Sequence, residues 1–199
     1  MRESDKRKGE TMSGTNLTDI DWSTLPRPED DGAGARVEGF AVPSLPLPAT
    51  DDTNIDLSAP GRTVVFVYPM TGQPEKDLPE GWNDIPGARG CTPQACAFRD
   101  LHDDLGRAGV DRVYGLSTQT TEEQKEAAER LHLPYPLLSD HALNFADALG
   151  LPRFEIGEAV YLKRMTLVIE GSFVGKVFYP VFPPDRAAGD VLDWLRGKA

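Results

Sequence analysis

The feature that most constrains the fold is an alternation of short buried strands and amphipathic helices in the middle of the chain. Residues 62–69, RTVVFVYP, form an apolar run of strand length that a proline ends. Apolar residues at helical spacing predict a helix over residues 91–107. The strand RVYGLST and the helix TEEQKEAAERLHL, with Thr121 as its expected N-cap, form a second unit of the same kind. Such units place parallel strands side by side and helices on the faces of the sheet.

The remaining apolar segments fit around this alternating part. They predict a β-hairpin before it and, after it, a short extended piece, a helix, a second hairpin and a closing helix, in the segments LPLPATDDTNIDLS, YPLLSD, HALNFADALG, RMTLVIEGSFVGKVFYPV and PPDRAAGDVLDWLRGK. This order is typical of a thioredoxin-like fold, which has a mixed central sheet with helices on both faces. We therefore expect an α/β domain of that class with an N-terminal β-hairpin and an extended arm.

The length of 199 residues is enough for one ordinary domain with a sizeable core. Residues 1–16 are polar and charged, a composition that cannot offset the entropy of ordering, and we predict a disordered tail there. Prolines recur among scattered apolar residues over residues 17–43, which predicts an extended proline-rich arm. The thioredoxin-like domain is predicted to span residues 44–199.

The charge balance narrows the range of partners. Asp and Glu number 32 against 21 Lys and Arg, and the net charge of -11 disfavours binding to nucleic acid or to an anionic membrane surface. No apolar stretch approaches the roughly 18 residues of a membrane span, and the N-terminal MRESDKRKGE lacks the apolar core of a secretory signal. We therefore expect a cytoplasmic protein without nucleic-acid or membrane partners. In that reducing compartment, two cysteines predict redox chemistry and not a disulfide scaffold.

Both cysteines lie at the start of the predicted helix that follows the first strand, in GCTPQACAFRD. Cys91 falls in the first turn, where free backbone N–H groups and the helix dipole favour a thiolate. Thr92 and Pro93 are the expected N-cap and first helical residue, and Gly90 allows a close backbone approach to a small ligand. At about 100° per residue, Cys96 lies roughly 140° around the helix from Cys91. This arrangement suits a peroxidase in which Cys91 attacks a hydroperoxide and Cys96 resolves the sulfenic acid as a disulfide.

Simpler interpretations of these residues stay open. Cys96 is also consistent with an ordinary core residue, since a peroxidase with one cysteine can use an external thiol. Arg164 is consistent with a strand residue facing water, and Arg89 with a loop cation that has no catalytic role. A zinc site made of the two cysteines and His102 is disfavoured because five-residue helical spacing is not a ligand spacing. No metal site is therefore predicted.

The strings YP, GCTPQACAFRD, GLSTQ, LLSD and KRMTLVIE occur in the order seen in peroxiredoxins. The chain most resembles the Q-type, or bacterioferritin comigratory protein-like, subgroup over about residues 45–195. The resemblance implies a thioredoxin-fold enzyme that reduces hydrogen peroxide and organic hydroperoxides without a metal, flavin or haem, and that a thioredoxin-type dithiol donor restores. By position it makes Cys91 the peroxidatic residue, Cys96 the resolving residue and Arg164 the arginine that stabilises the anion. We expect a monomer or a weak homodimer.

The sequence departs from the peroxiredoxin pattern just before Cys91. The proline and threonine that the family carries seven and three residues earlier are replaced by Asp84 and Ala88. Since Pro69 ends the first central strand as the family's proline does, we infer an insertion at residues 70–88 and expect Pro69 to shield the site. The sequence leaves three candidates to replace the threonine beside the thiolate: Thr71, Thr92 and Arg89.

Two other functions would use the same cysteines. A non-enzymatic redox sensor would form the disulfide between Cys91 and Cys96 once and signal to a protein partner, whereas a peroxidase consumes many equivalents of peroxide. A thioredoxin-like disulfide reductase is disfavoured because such proteins usually carry C-x-x-C at the start of the helix. The peroxidase is therefore the favoured interpretation.

Overall fold

The computed structural model describes residues 21–74 and 76–197, and the tail predicted at residues 1–16 lies outside them. The helices are α1 (Ala33–Val37), α2 (Cys91–Asp100), α3 (His102–Arg107), α4 (Thr121–Arg130), α5 (Asn144–Leu149) and α6 (Ala187–Leu195). The strands are β1 (Pro46–Pro48), β2 (Asn54–Asp56), β3 (Arg62–Val67), β4 (Arg112–Ser117), β5 (Leu137–Ser139), β6 (Arg153–Ile156), β7 (Ala159–Leu162), β8 (Met165–Glu170) and β9 (Phe173–Phe178). Within the described ranges, no helix is both long enough and apolar enough to cross a membrane.

A five-stranded mixed sheet forms the centre of the domain, in the order β5-β4-β3-β8-β9. Strands β3, β4 and β5 are parallel, as the two strand–helix units predict, while β8 runs antiparallel to β3 and pairs with β9. Val65 in the middle of β3 lies opposite Tyr114 of β4 and Leu167 of β8. Because helices cover both faces, β3 is buried along nearly its whole length. The predicted mixed sheet is confirmed.

Alternate residues of β3 point into two separate hydrophobic cores. Val65 faces a core that α1, β1 and α5 close, whereas Phe66 faces a core that α2, α3, α4 and α6 close. In the second core, Phe98 of α2 stacks on Phe66 with the ring centroids 4.7 Å apart. This contact fixes α2 on the sheet, and with it the start of the helix, where Cys91 lies.

Helix boundaries differ from the prediction in two places outside the site. The helix predicted over residues 91–107 is divided at Leu101, whose φ of -102° and ψ of 9° leave the helical region. Helix α4 is capped by Thr120 and not by Thr121. The Thr120 hydroxyl accepts from the backbone N–H of Glu123, while the Glu123 carboxylate accepts from the backbone N–H of Thr120. This reciprocal capping box begins the helix one residue earlier than expected.

The region at residues 17–43 is extended only in part. Its described residues include α1, in which Ala33 and Val37 are buried. After α1 the chain runs beside β9, and the backbone N–H of Val174 donates to the carbonyl oxygen of Phe40 over 2.9 Å. The segment is therefore partly helical and covers the edge of the sheet.

The hairpin formed by β6 and β7 was not predicted, whereas the hairpin formed by β1 and β2 was, and it is confirmed. Strands β6 and β7 are short and partly exposed, so their apolar residues do not form the continuous run that marked β3. Their turn contains Gly157 with a φ of 59°. This hairpin matters because the loop before α2 packs on it.

Candidate active site

Helix α2 begins at Cys91, the junction of loop and helix that the sequence singled out. Gly90 is the N-cap, with a left-handed φ of 99°, so the cap predicted at Thr92 is wrong. A Cβ at position 90 would lie 2.6 Å from Cγ of Pro184, so only glycine fits here. Cys91 is 4% exposed, and its Sγ lies 3.6 Å from the carbonyl oxygen of Ala88. The sulfur thus lies where free backbone N–H groups and the helix dipole favour a negative charge.

Arg164 lies in the link between β7 and β8, and its guanidinium reaches the sulfur of Cys91. The side chain is 3% exposed, and Nη2 is 3.1 Å from Cys91 Sγ. The same nitrogen lies 3.0 to 3.4 Å from three carbonyl oxygens, those of Gly87, Ala88 and Arg89. These carbonyls hold the guanidinium against the start of α2. At this distance its positive charge stabilises a thiolate through a charge-assisted hydrogen bond.

Within the described part of the chain, no carboxylate lies within ion-pairing distance of Arg164. Its second terminal nitrogen donates to Oε1 of Gln94, a neutral and fully buried side chain. Burying a cation without an anion costs several kcal/mol. A thiolate of Cys91, whose sulfur lies 3.1 Å from the guanidinium, is the anion that this site can supply.

Gln94 is a site residue that was not predicted. It follows Cys91 by three residues on α2, so the two side chains lie on the same side of the helix. That spacing was the available signal. Its Oε1 accepts from Arg164, while its Nε2 has no hydrogen-bond partner in the described residues. Gln94 therefore orients the guanidinium from the helix side, and the three carbonyls orient it from the loop side.

An open cavity of about 340 Å³ leads to Cys91. Its walls come mainly from residues 70–88 and from the first turn of α2. Three of the predicted pocket residues lie in these walls: Arg89, Gly90 and Thr92. Trp82 also lines the cavity, is 2% exposed, and packs edge-on against Tyr161 of β7 with ring centroids 5.0 Å apart. The loop at residues 70–88 is thus anchored on the β6–β7 hairpin.

Two predicted pocket residues lie elsewhere. Pro69 is buried and does not line the cavity. Thr71 is 2% exposed, and its backbone N–H and hydroxyl both donate to Oε1 of Gln119, over 2.8 and 3.0 Å. Both donors of Thr71 are therefore bound by Gln119, and Thr71 does not line the cavity. Arg89 and Thr92 both line the cavity; Arg89 also donates to Oδ1 of Asn83 over 2.9 Å, and Thr92 is the one of the three candidates that is both a cavity residue and a hydroxyl residue.

Cys96 follows five residues later on the same unbroken helix, and both cysteines are free thiols. Cys96 is partly buried, and burial raises the pKa of its thiol above the ordinary value of 9.0. In an intact helix the two Cα atoms lie about 8 to 9 Å apart, whereas a disulfide tolerates at most about 7 Å. The described residues include no group of three or more His, Cys, Asp or Glu side chains that could hold a metal ion.

Known proteins share this chain's sequence and fold. Residues 33–192 match the Redoxin family. The chloroplastic peroxiredoxin Q of Suaeda salsa is 30% identical over 162 residues, which cover 80% of this chain and 67% of that protein. The crystal structure of peroxidoxin BcpB from Mycobacterium tuberculosis is 31% identical with a TM-score of 0.66, covering 81% of this chain and 97% of that chain. Peroxiredoxin Q of Xanthomonas campestris, 19% identical with a TM-score of 0.60 over 87% of this chain and 96% of its own, shares the fold.

These matches confirm both the thioredoxin-like fold and the resemblance read from the motifs around Cys91. They also agree with the geometry, in which a buried thiol at a helix start lies beside a buried arginine. The chain therefore belongs to the redoxin family and is a peroxiredoxin, a peroxidase that works through a thiol.

Proposed function

We propose that this peroxiredoxin reduces hydrogen peroxide and organic hydroperoxides through a Cys91 sulfenic acid and an intramolecular disulfide between Cys91 and Cys96. A thioredoxin-type dithiol donor then restores the two thiols. The observation that carries the proposal is the 3.1 Å distance between Arg164 Nη2 and Cys91 Sγ at the start of α2. A buried guanidinium in that place favours the thiolate and offers donors to the oxygens of a peroxide.

In the first step the thiolate of Cys91 attacks one oxygen of the hydroperoxide. The S–O bond forms as the O–O bond breaks, so the sulfur is oxidised to a sulfenic acid. The other oxygen leaves with the electron pair of the O–O bond and takes up a proton, giving an alcohol, or water when the substrate is hydrogen peroxide. Arg164 stabilises the negative charge as it moves from the sulfur to the leaving oxygen.

The cavity supports organic hydroperoxides as substrates beside hydrogen peroxide. Its volume of about 340 Å³ is far larger than the roughly 30 Å³ that one water molecule occupies in the liquid, which is the scale of hydrogen peroxide. Apolar side chains such as Met70, Leu78 and Trp82 contribute to its walls. An organic substituent on the peroxide therefore has both room and apolar surface beside Cys91.

In the second step Cys96 attacks the sulfenic sulfur of Cys91. The S–S bond forms, and the sulfenic oxygen leaves with the thiol proton as water. Because an intact α2 keeps the cysteines beyond disulfide distance, its first turns must unwind. Pro93 has no backbone N–H to donate. Unwinding therefore breaks no N–H hydrogen bond at this residue, and it would break none with another residue here, because the N–H groups of a first helical turn have no acceptor within the helix. The first bond to break is the one from the Gln94 N–H to the Gly90 carbonyl, 3.0 Å long.

In the third step a dithiol donor reduces the disulfide. One donor thiolate attacks it to form a mixed disulfide, and the second donor thiol releases the enzyme as a dithiol while the donor leaves oxidised. We propose a thioredoxin-type protein for this role because the cycle returns two electrons to one disulfide, which is the reaction of a dithiol donor. The cytoplasmic location and the monomer or weak homodimer expected from the sequence belong to the same proposal.

The test is peroxide consumption with thioredoxin, thioredoxin reductase and NADPH. The wild type should turn over many equivalents, and Cys91→Ser none, because a serine oxygen is scarcely ionised at neutral pH and forms no sulfenic acid. Cys96→Ser should stop after one turnover, with the sulfenic acid trapped by a dimedone reagent. Mass spectrometry should detect the intramolecular disulfide in the wild type only.

Each failure has a distinct meaning. Turnover by Cys91→Ser would refute the whole mechanism. Sustained turnover by Cys96→Ser would show a peroxidase with one cysteine that uses an external thiol. A wild type that consumes about one equivalent of peroxide and then stops, with reductant present, would support the redox sensor instead.

A further inference from the structure

A segment outside the family match lies against the loop that holds the active site. Residues 21–32, which we call the arm segment, precede the Redoxin match that begins at residue 33. Pro28 packs on Gly87, where an added Cβ would be 3.5 Å from the proline ring. Gly87 is one of the residues whose carbonyl oxygen holds Arg164, at 3.2 Å. The arm segment therefore contacts the loop whose carbonyl oxygens hold the guanidinium beside Cys91.

An ion pair fixes the C-terminal end of the arm segment beside the same arginine. The Asp31 carboxylate lies 2.8 Å from Nζ of Lys163, the residue before Arg164. The Lys163 hydrogen bond holds the pKa of Asp31 at about 2. The two side chains are 42% and 39% exposed, so solvent screens the pair. Its role is to anchor the end of the arm segment next to Arg164.

The N-terminal end of the arm segment packs against the N-cap of α2. A Cβ at Gly90 would lie 2.9 and 3.0 Å from two carbons of the Trp22 indole, so the ring lies directly on the backbone before Cys91. The indole Nε1 donates to Oδ2 of Asp185 over 3.0 Å, and the ring packs edge-on against Phe182 at 6.3 Å between centroids. Trp22 is therefore held from the α6 side while it covers Gly90.

We propose that Trp22 is a positioning residue that holds the first turn of α2 in its helical form and thereby slows the closure of the disulfide between Cys91 and Cys96. The inference rests on the proposed function, in which that turn must unwind before the disulfide forms. Unwinding carries the backbone of Gly90 away from its place between Trp22 and Pro184. The contact with Trp22 exists in the dithiol form and is lost in the disulfide form.

The consequence follows from linkage between a contact and a conformational equilibrium. A contact made only in the helical state stabilises that state. It therefore lowers the equilibrium population of the unwound state by a factor that the free energy of the contact sets. The rate of disulfide formation falls by the same factor, because Cys96 attacks only from the unwound state. The contact also shifts the equilibrium between dithiol and disulfide toward the dithiol by the same factor. Loss of the contacts of a partly buried indole ring should raise the population of the unwound state, and with it the rate of disulfide formation, by roughly a factor of ten.

A slower closure also lengthens the life of the sulfenic acid. During that time the sulfenate sulfur can attack a second hydroperoxide: a second S–O bond forms as the O–O bond breaks, the sulfur becomes a sulfinic acid, and the other peroxide oxygen leaves and takes up a proton to give an alcohol or water. The arm segment therefore sets how much enzyme is over-oxidised at high peroxide. Without Trp22 the disulfide forms first and the sulfinic product decreases.

The experiment compares the full-length wild type with Trp22→Ala, Trp22→Phe and Asp31→Asn. One equivalent of peroxide starts a single turnover, and acid-quenched samples are analysed by mass spectrometry for sulfenic acid, disulfide and sulfinic acid. We expect roughly tenfold faster disulfide formation in Trp22→Ala and a rate near wild type in Trp22→Phe, which keeps an aromatic ring on Gly90. Asp31→Asn removes the exposed ion pair with Lys163 but keeps a side-chain oxygen for the backbone N–H of Ala33, so it folds, and should speed closure about twofold.

A thiol–disulfide equilibrium in a dithiothreitol buffer separates positioning from plain stability. Trp22→Ala should shift it about tenfold toward the disulfide. Unchanged closure rate and equilibrium in folded Trp22→Ala would overturn the proposal. If Trp22→Ala does not fold, an unchanged Asp185→Ala, which removes the acceptor that holds the indole of Trp22, overturns it instead. Absence of the disulfide in every chain, wild type included, would refute the proposed resolving step together with this inference.

Discussion

Replacing Arg164 by methionine should slow the attack of Cys91 on peroxide by roughly 10- to 150-fold. Nη2 makes one hydrogen bond to the sulfur, at 3.1 Å. A hydrogen bond to a charged group is worth about 1.5 to 3 kcal/mol, and each 1.36 kcal/mol on the barrier is about tenfold in rate. The same bond serves the thiolate before reaction and the leaving oxygen during it, so its loss removes a stabilising contact from both.

The change from Arg164 to methionine also destabilises the structure around the site. A second variant is therefore needed to separate that effect from the effect on the reaction. Methionine leaves the carbonyls of residues 87–89 and Oε1 of Gln94 without their donor, which destabilises the loop as well as the chemistry. Arg164→Lys keeps a positive charge but supplies a point donor in place of a planar fork, and an intermediate rate is expected. Arg62→Met is the matched control, because Arg62 is an arginine of β3 that pairs with Glu170 at the surface, away from Cys91.

The assay is stopped-flow measurement of sulfenic acid formation, with enzyme in excess over peroxide, beside the rate of alkylation by iodoacetamide. Alkylation reports the thiolate and needs no peroxide. Both rates should fall in Arg164→Met and stay within about twofold of wild type in Arg62→Met. If the folded Arg164→Met variant matched the wild type in both rates, the guanidinium would have no role in the chemistry.

Amide hydrogen exchange across residues 94–100 should rise by orders of magnitude when the dithiol becomes the disulfide and fall again with reductant; equal protection in the two forms would contradict unwinding. Gly90→Ala should lower the free energy of unfolding by about 2 kcal/mol more than Gly81→Ala in urea denaturation. Both positions have positive φ, but only at Gly90 would a Cβ clash, with Pro184 and Trp22; equal losses would refute the close packing. Disulfide formation should accelerate from about pH 7 to 9, because the Cys96 thiolate is the nucleophile and the thiol, once unwinding exposes it, ionises near its ordinary pKa, and a flat profile would exclude this rate control.

The position of Cys91 was predictable because its signals are local. A glycine, a cysteine and a helical pattern after a buried strand are adjacent in sequence, and the helix start follows from them to within two residues. The contact with Arg164 joins residues 73 apart. No local pattern contains it, so it was reached only through the resemblance to peroxiredoxins.

Other parts of the site depend on tertiary packing that the sequence does not display. Gln94 looked like an ordinary polar residue of a helix, yet it is fully buried because a charged partner from another element meets it. Thr71 was a candidate to supply a hydroxyl beside the thiolate. In the structure its backbone N–H and its hydroxyl both donate to Gln119, a contact that the sequence does not show. The role of Trp22 was invisible for the same reason, since Gly90 is 68 residues away in the sequence.

The burial of Cys96 links the two halves of the proposed cycle. In the folded helix burial raises its pKa, so at neutral pH the thiol is protonated and a poor nucleophile. The unwinding that brings the sulfurs within disulfide distance also moves Cys96 into water, where its pKa returns toward the ordinary value. One motion therefore both delivers and activates the second thiol, while the intact helix keeps Cys91 in its pocket for peroxide. Trp22 acts on that motion, because the turn cannot open until Gly90 leaves the indole.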